Sequence, residues 1–266
     1  MGTSAASGHV RQTLGSRFYL HLRRQALLLS PTPLHPQWLS FRAKGRAAKL
    51  VVARAVGDFL DIGCGDGTLR SQMIGRCRYV GLDYPVTGGG LYRARPEVFA
   101  DAAHLPFVMA CFDTVALLDV LEHLSEPRAS LREICRVLRP GGVLYMTVPF
   151  MYPLHDEPHD YQRPTLHGLR HWLKDAGLEV HEIDPFGMPV ETAALLLNIA
   201  LARLLSRAVH AFPPAALFGL LLVPSVLLIN LSGWLLGRFG SSDSLMPVAY
   251  WVVAHRTAKH LPEPLG

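Results

Sequence analysis

The sequence predicts an α/β fold with a mostly parallel sheet, because strand-like and helix-like segments alternate along its central part. Two further observations support this prediction. A turn with three glycines at residues 63–67 directly follows the apolar segment at residues 59–62, as expected where a buried strand turns sharply into a helix. Acidic residues also end several successive strand segments, and in open α/β sheets these strand ends form the ligand crevice.

Apolar patterning defines the elements in chain order. The predicted strands are residues 58–62, 79–82, 98–100, 112–118, 143–148, 178–183 and 247–255. The predicted helices are residues 38–56, a segment after Gly67, residues 127–138 and residues 165–176. The first helix is expected to cover an edge of the sheet. The Arg-Pro-Gly-Gly sequence at residues 139–142 and the glycine at position 177 are expected to end the last two helices.

Four acidic residues stand at the ends of the first four predicted strands. They are Asp61, Asp83, Asp101 and Asp119. Because the carboxyl ends of parallel strands meet at one edge of the sheet, these side chains are expected to lie close together. Four carboxylates placed there predict a nucleotide-cofactor site, whereas the glycine turn alone would also fit an ordinary strand–helix connection.

The composition is apolar for a soluble enzyme, which indicates a contact with a membrane. Half of the 266 residues are hydrophobic, 18% are charged, and the mean hydropathy is +0.22. The net charge of +5 is unevenly placed, since residues 1–57 contain nine Lys or Arg and no Asp or Glu. This separation argues against a nucleic-acid groove and favours a basic face near an anionic membrane surface.

The N-terminal region and the cysteines indicate the compartment. Residues 1–37 are interpreted as a basic lead-in, disordered over residues 1–15 and with an amphipathic or packed helix at residues 16–30. We expect no secretory signal and a cytoplasmic, membrane-associated protein, with an organellar transit peptide as the alternative. The four cysteines form no CxxC pair, which favours a reducing compartment. They are Cys64, Cys77, Cys111 and Cys135.

A hydrophobic helical insertion is predicted at residues 189–244, before the last strand. Residues 213–237 contain no charged side chain and are long enough to span a bilayer, which needs about 20 apolar residues. A single span would leave the last strand on the wrong side of the membrane. The insertion is therefore expected to contact the membrane through residues 189–240 as an in-plane, re-entrant or two-pass element. A soluble lid or a homodimer interface is the alternative.

Four motifs in order carry a resemblance to a known family. They lie at residues 59–68, 81–84, 100–107 and 112–124, the last together with residues 138–142. Jointly they resemble class I S-adenosylmethionine-dependent methyltransferases of the bacterial type 11-like group. The resemblance implies a Rossmann-like, seven-stranded sheet with helices on both faces and an antiparallel last strand. It implies one domain formed by residues 38–188 plus 245–258, with S-adenosylmethionine as cofactor.

The resemblance also implies a set of cofactor-binding residues. Asp61 is expected to meet the cofactor's ammonium group, Asp83 its ribose hydroxyls and Asp101 its adenine amino group. The full set is Asp61, Gly63, Cys64, Gly65, Gly67, Asp83, Tyr84, Asp101, Ala102, Asp119 and Val120. A nicotinamide-binding domain is the competing interpretation, but it would favour a GxGxxG spacing.

The loop at residues 149–164 is the predicted acceptor side. His155 and His159 are candidate general bases, with Asp160 or Asp156 orienting them. The predicted substrate-binding residues are Tyr152, Tyr161 and Arg163. The alternative is a rigid loop that only seals the pocket.

A metal site is the less favoured interpretation of a neighbouring motif. Asp119, Glu122 and His123 stand at i, i+3 and i+4, which would place them on one helix face, where His155 or His159 could complete a site. We expect instead that Asp119 contacts the cofactor, that Glu122 and His123 cap or pack, and that no metal binds.

These features together predict O-methylation of a membrane-proximal small molecule, lipid or lipid-linked glycan, without nucleic acid as a partner. The alternative from a different class is a non-catalytic scaffold that has kept the cofactor fold and assembles through the insertion.

Overall fold

The computed structural model describes residues 28–89, 95–240 and 245–257, so most of the basic lead-in lies outside the described residues. Its strands are β1 (Asp58–Ile62), β2 (Arg78–Asp83), β3 (Val98–Phe99), β4 (Phe112–Leu118), β5 (Leu138–Pro149), β6 (Leu178–Phe186) and β7 (Ala249–Arg256). Its main helices are α1 (Trp38–Arg54), α2 (Thr68–Met73), α3 (Pro127–Val137), α4 (Leu166–Asp175), α5 (Pro189–Ala211) and α6 (Gly219–Gly237). Short helical turns occupy Pro85–Thr87, Leu121–His123 and Pro213–Phe218.

The seven strands form one sheet in the order β3-β2-β1-β4-β5-β7-β6. The strands from β1 to β5 pair in parallel, whereas β7 is antiparallel to both of its neighbours, β5 and β6. The strand order reverses between β1 and β4, and ligands bind in α/β sheets at the carboxyl ends of the strands at such a point. The predicted fold class is confirmed.

Helices cover both faces of the sheet, and β1 is therefore buried on both sides. Leu60 belongs to the apolar cluster that includes Leu131 of α3 and Leu169 of α4. Phe59, pointing the other way, belongs to the cluster that includes Val51 of α1 and Met73 of α2. The prediction that α1 covers a sheet edge is therefore wrong, since its apolar side packs on a sheet face.

Helix α3 ends within one residue of its predicted end, but residues 139–142, predicted as a stop before the next strand, already belong to β5. The helix ends at Val137 and β5 begins at Leu138. The register between β4 and β5 shifts after the pair Phe112 and Leu138, as expected for a β-bulge. Gly141 has a φ of +79°, which a glycine accommodates without strain inside this bulge.

The predicted hydrophobic insertion forms a helical hairpin, α5 followed by α6, between β6 and β7. Both helices are long and apolar enough to cross a membrane. Yet Ala194, Leu195 and Ile199 of α5 pack with Trp38 at the start of α1 and Val248 next to β7. The base of the hairpin is therefore part of the folded domain.

Two buried asparagines fasten the hairpin to the chain that precedes α1. Asn198 Nδ2 donates to Asn230 Oδ1 at 3.0 Å, and Asn230 Nδ2 donates to the carbonyl oxygens of Pro33 and His35 at 2.8 and 3.0 Å. Both asparagines are fully buried. Such a network stabilises a unique arrangement because each unpaired buried polar group is costly.

Replacing Asn230 with alanine is expected to lower the free energy of unfolding by about 2–4 kcal/mol, because three buried polar partners lose their hydrogen bonds. Urea unfolding of the lipid-free protein measures this change. Ser232→Ala, at an exposed position of the same helix, is the matched control. Equal stabilities of the two variants would show that the hairpin does not dock on the domain in this way.

Candidate active site

The glycine turn after β1 packs tightly against its neighbours. Gly63 has a φ of +72°, and a Cβ placed on it would lie 2.3 Å from Val120 Cγ2. The backbone N–H groups of Gly63 and Cys64 both donate to the Leu82 carbonyl oxygen of β2, at 2.8 and 3.2 Å. Glycine is therefore required at position 63 both for its backbone angle and for its contact with Val120.

A cavity of about 860 Å³ opens above this turn at the carboxyl ends of the strands. Its wall contains every predicted cofactor-binding residue except Gly67. These lining residues are Asp61, Gly63, Cys64, Gly65, Asp83, Tyr84, Asp101, Ala102, Asp119 and Val120. Gly67 instead lies at the beginning of α2 with a φ of +76°, where it lets the turn enter the helix.

One wall of this cavity was not predicted. It is formed by α1, through Phe41, Lys44, Gly45, Ala47 and Ala48. The alternation of basic and apolar residues along α1 predicts an amphipathic helix, but nothing in that pattern indicates that Lys44 points toward the sheet ends.

Asp83 is built into the turn as well as into the cavity wall. Its side chain is buried, and its two oxygens accept hydrogen bonds from the backbone N–H groups of Gly65 and Tyr84, each at 2.8 Å. A carboxylate has about four acceptor sites, so each oxygen retains a lone pair for a ligand hydroxyl. This geometry suits a group with two neighbouring hydroxyls, such as a ribose.

Replacing Gly88 with alanine is expected to displace Asp83, because a Cβ at position 88 would lie 2.5 Å from Asp83 Oδ1. We expect roughly tenfold weaker binding of S-adenosylhomocysteine in calorimetric titration. A change of this size corresponds to the loss of about one hydrogen bond to a charged group. Gly89→Ala is the matched control, since a Cβ there has nothing within 4 Å. Equal affinities of the two variants would contradict this role for the Asp83 position.

The remaining predicted cofactor acids differ in their surroundings. Burial raises the pKa of Asp61 to about 7, although Asp61 Oδ2 accepts a hydrogen bond from the Tyr79 hydroxyl at 2.7 Å. A cationic ligand group beside Asp61 would favour its charged form. Asp101 is exposed, and its Oδ1 accepts from the Ala103 N–H at 2.9 Å.

The Asp119 carboxylate pairs with Lys44 and Thr147 rather than with Glu122 or His123, with which helical spacing would group it. It precedes a single helical turn and has a φ of +53°. Its Oδ2 lies 3.0 Å from Lys44 Nζ, and its Oδ1 accepts from the Thr147 hydroxyl at 2.9 Å. Burial opposes its ionisation, but Lys44 and Thr147 outweigh burial and hold the pKa of Asp119 below its usual range.

A second, smaller cavity of about 20 Å³ adjoins the first. Lys44, Asp119 and Thr147 line both cavities. The other polar residues around the small cavity are Ser40, Glu122, Tyr152 and His155. A cavity of this volume holds about one water-sized group, so it fits a hydroxyl rather than the body of a substrate.

Glu122, His123 and His155 converge beside the small cavity. Glu122 is fully buried and neither of its carboxylate oxygens has a hydrogen-bond partner among the described residues. Its Oε1 lies 3.7 Å from His123 Nε2 and 3.8 Å from His155 Nε2. Burial, reinforced by the charge of Asp119, raises the pKa of Glu122 to about 8, so it carries a proton at neutral pH. Glu122 was expected to cap or pack, but no pattern in the sequence indicated that its carboxyl would be fully buried beside two histidines.

The other ring nitrogen of each histidine fixes the direction of its lone pair. His123 Nδ1 lies 2.6 Å from the His159 carbonyl oxygen, and His155 Nδ1 lies 3.3 Å from both Asp160 Oδ2 and the Pro153 carbonyl oxygen. Both Nδ1 atoms therefore act as donors, and both Nε2 lone pairs face Glu122. Burial also lowers the pKa of His155, which favours its neutral form.

This arrangement can accept a proton from a ligand. A protonated Glu122 can donate to only one imidazole at a time, which leaves a lone pair on the other. The same three side chains could also hold a metal ion. Each offers one ligand atom, and these atoms of Glu122, His123 and His155 all lie within 4.8 Å of one another. Asp119 does not belong to this group, which therefore differs from the i, i+3, i+4 set of the less favoured metal interpretation.

The loop after β5 positions these groups. The Asp160 carboxylate accepts from the His155 backbone N–H at 3.0 Å and from Arg163 Nη2 at 2.8 Å. Burial works against ionisation of Asp160, but Arg163 holds its pKa low, at about 2. Asp160 thus orients His155. Arg163, predicted to bind substrate, lies outside both cavity walls and holds the loop instead.

The other predicted acceptor residues are split between the two cavities. Tyr152 lines the small cavity and its hydroxyl accepts from Gln37 Nε2 at 2.9 Å. His159 and Tyr161 line the large cavity, with His159 Nδ1 3.3 Å from the Tyr161 hydroxyl. Of the two predicted bases, only His155 therefore lies beside the buried carboxylate.

Comparisons with known proteins agree with this geometry. A family model described as a methyltransferase domain matches residues 60–146. A ubiquinone biosynthesis O-methyltransferase of Pseudomonas paraeruginosa is 29% identical over 180 residues, covering 57% of this chain and 73% of the relative. A probable S-adenosylmethionine-dependent methyltransferase of Mycolicibacterium smegmatis is 34% identical over 137 residues, covering 47% of this chain and 53% of the relative.

A solved structure shows the same fold. An S-adenosylmethionine-dependent methyltransferase from Mesorhizobium loti superposes with a TM-score of 0.51 at 16% identity, covering 82% of this chain and 100% of the other. The residues matched by the family model run from β1 into β5. They include the glycine turn, Asp83 and the Glu122–His123 pair, but not the hairpin.

Proposed function

The chain belongs to the class I S-adenosylmethionine-dependent methyltransferase family, and we propose that it methylates a hydroxyl oxygen of a small molecule held near a membrane. The family cofactor is S-adenosylmethionine, which supplies an electrophilic methyl group. The large cavity fits this cofactor, since Asp61 and Asp83 are buried carboxylates facing it beside the glycine turn. We assign the ribose hydroxyls to Asp83 and the ammonium group to Asp61.

The observation that carries the proposal is the meeting of the two cavities. Lys44, Asp119 and Thr147 form a wall common to both. A hydroxyl seated in the small cavity would therefore stand next to the cofactor cavity and beside Glu122 and His155. Methyl transfer needs the attacking oxygen aligned with the methyl group, and placing the two groups together supplies much of the rate enhancement.

The proton of that hydroxyl has a defined destination. We assign its acceptance to the free Nε2 of His155 or His123, while the protonated Glu122 donates a hydrogen bond to the other imidazole. Asp160 keeps His155 in the required tautomer through the 3.3 Å contact with Nδ1. Lys44 supplies a positive charge at the shared wall, which would favour the developing oxyanion.

Oxygen is favoured as the methyl acceptor by the relatives, which include an O-methyltransferase at 29% identity. The small cavity is compatible with the same assignment because it admits a hydroxyl-sized group. The chain's membership of a methyltransferase family favours an enzyme over the non-catalytic scaffold considered from the sequence.

The membrane location is supported by the hairpin. Its base shares an apolar cluster with Tyr152 of the acceptor loop and Trp38 of α1, so the apolar insertion and the small cavity are neighbours. A lipid or lipid-linked glycan presented at a cytoplasmic membrane surface fits this arrangement. A hairpin used as a lid or homodimer contact is the competing use of the same surface.

The test is transfer of tritium from methyl-labelled S-adenosylmethionine into a total bacterial lipid extract, compared with a water-soluble metabolite extract. We expect labelled product in the lipid extract, with the new methyl group bound to oxygen. Label found only in the soluble extract would reject the membrane-proximal acceptor, and label on nitrogen or carbon would reject O-methylation.

A further inference from the structure

We propose that the outward sides of α6 and α1 form one face that docks on the surface of an anionic phospholipid bilayer, with α6 lying in the plane of one leaflet. This inference deepens the membrane-proximal part of the proposed function and rests on it for the delivery of the acceptor. The docking itself does not depend on the chemistry of the site.

The apolar half of this face is the outward side of α6 together with the turns directly before and after it, here called the apolar stripe. Its side chains are each at least half exposed and recur on one side of the helix. They are Leu217, Phe218, Leu220, Leu221, Leu228, Leu235, Leu236 and Phe239. At 1.5 Å per residue this stripe is about 33 Å long. Apolar exposure of this extent marks a binding surface rather than ordinary solvent exposure.

The charged half is the outward side of α1, here called the basic stripe. Arg42, Arg46 and Lys49 are exposed and follow each other at i, i+4 and i+7, which places them on one side of the helix. Residues 28–57 contain no Asp or Glu. Neighbouring acidic side chains of α1 therefore do not neutralise the stripe.

The two stripes meet at Trp234 of α6. The Arg42 guanidinium lies 5.7 Å from the centre of the Trp234 ring, and the guanidinium of Arg238, the residue directly after α6, lies 4.8 Å from it. Tryptophan and arginine together are typical of the membrane–water interface, where one end of the side chain is apolar and the other polar. Between residues 185 and 240 the sequence contains one acidic residue, Glu191, and its carboxylate accepts from the Met188 N–H at 2.9 Å.

An in-plane position follows from what the inner sides of the helices contact. Asn198 and Asn230 are buried against the chain before α1, and Leu195 is buried against Trp38 and Val248. The helices cannot cross a bilayer while these contacts hold, because each is covered by the domain on one side. An apolar outer side with basic residues at its border is the pattern of a helix lying at the interface.

A second copy of the chain fits this face less well than a bilayer does. A two-fold dimer uses the same patch on both subunits, so the partner's face would offer the basic stripe basic rather than acidic side chains. Anionic headgroups have the opposite charge, and each basic residue near such a surface adds to the binding. Charge complementarity therefore selects the bilayer.

The face also explains how an acceptor could reach the site. Lys44, on the opposite side of α1 from Arg42 and Arg46, lines both cavities. A helix with its side chains is about 10 Å across, so the small cavity would lie roughly one helix diameter from the headgroups. A lipid hydroxyl would then have to leave the membrane by only a short distance.

Co-sedimentation of the full chain with vesicles tests the docking without cofactor or acceptor. One set of vesicles contains phosphatidylcholine alone and the other adds phosphatidylglycerol. We expect tighter binding to the anionic vesicles and weakening by salt, which screens the charges. Replacing all three residues of the basic stripe with glutamine is expected to weaken anionic binding roughly a hundredfold. Leu221→Asp with Leu228→Asp is expected to weaken binding to both kinds of vesicle.

Matched controls carry the same chemical changes elsewhere on the surface. For charge, the control replaces Arg132, Arg170 and Lys174, which are exposed on α3 and α4 across the sheet. For the apolar substitutions, the control is aspartate at positions 74 and 108. Ile74 and Val108 are both about three-quarters exposed. Binding of the controls should equal that of the unchanged protein.

Three outcomes would overturn the proposal. One is no binding to either kind of vesicle. Another is equal binding by the stripe variants and their controls. The third is a dimer in sedimentation velocity that Leu221→Asp dissociates while vesicles do not bind, which would make the face a contact between copies. Failure of methyl transfer with intact vesicle binding would instead reject the proposed function alone.

Discussion

Replacing Asp83 with asparagine is expected to weaken S-adenosylhomocysteine binding at least a hundredfold. Asp83 is buried and holds both the glycine turn, through the Gly65 N–H, and the next loop, through the Tyr84 N–H. Asparagine loses the negative charge and one of the two acceptor oxygens. Two hydrogen bonds to a charged group are worth about 3 kcal/mol or more, which corresponds to at least a hundredfold in Kd.

Calorimetric titration gives this affinity directly. Asp175→Asn removes one negative charge from the exposed end of α4 and should bind like the unchanged protein. Circular dichroism of both variants shows whether the fold is retained. A folded Asp83→Asn protein with unchanged affinity would show that the ribose is held elsewhere.

Replacing Glu122 or His155 with glutamine is expected to lower kcat by roughly 10²–10⁴-fold, the usual contribution of a positioned general acid or base. Affinity for S-adenosylhomocysteine should stay within a factor of two or three, because neither residue lines the large cavity. Steady-state methyl transfer to the acceptor found in the lipid extract measures kcat, and titration measures the affinity.

His171→Gln is the matched control, since His171 is exposed on α4 beside Asp175. The same assay after exhaustive chelation separates proton transfer from metal chemistry at these residues. We expect chelation to leave kcat unchanged. An unchanged kcat in Glu122→Gln and His155→Gln, or a kcat abolished by chelation and restored by a divalent cation, would contradict the assignment of proton transfer.

The sheet and the glycine turn were predictable because they follow local rules. An apolar segment before three glycines with positive φ specifies a strand turning into a helix, as Gly63 illustrates. Carboxylates at the ends of parallel strands must meet at one edge of the sheet, which brought Asp61, Asp83, Asp101 and Asp119 around one cavity.

The acceptor side was harder to predict because it depends on contacts between distant segments. Lys44 of α1 reaches Asp119 after β4, and His155 of the loop after β5 reaches Glu122. Asp119 has a positive φ and its carboxylate pairs with Lys44 and Thr147, which helical spacing could not anticipate. The burial of Glu122 also results from packing, since a glutamate next to a histidine is usually exposed.

The hairpin could be predicted from the sequence only in part. Its helical, apolar character follows from sequence alone, whereas its docking through Asn198 and Asn230 does not. The sequence of an apolar helix does not indicate which residues its asparagines will contact. The backbone carbonyls of Pro33 and His35 that receive the Asn230 amide lie almost two hundred residues away in the chain.

A crystal structure with S-adenosylhomocysteine would show whether the cofactor's reactive end faces the cavity beside Glu122 and His155. We expect the ribose hydroxyls on the Asp83 carboxylate and the sulfur atom at the wall shared by the two cavities, next to Asp119 and Thr147. A sulfur atom pointing away from this wall, or a ribose bound away from Asp83, would contradict it.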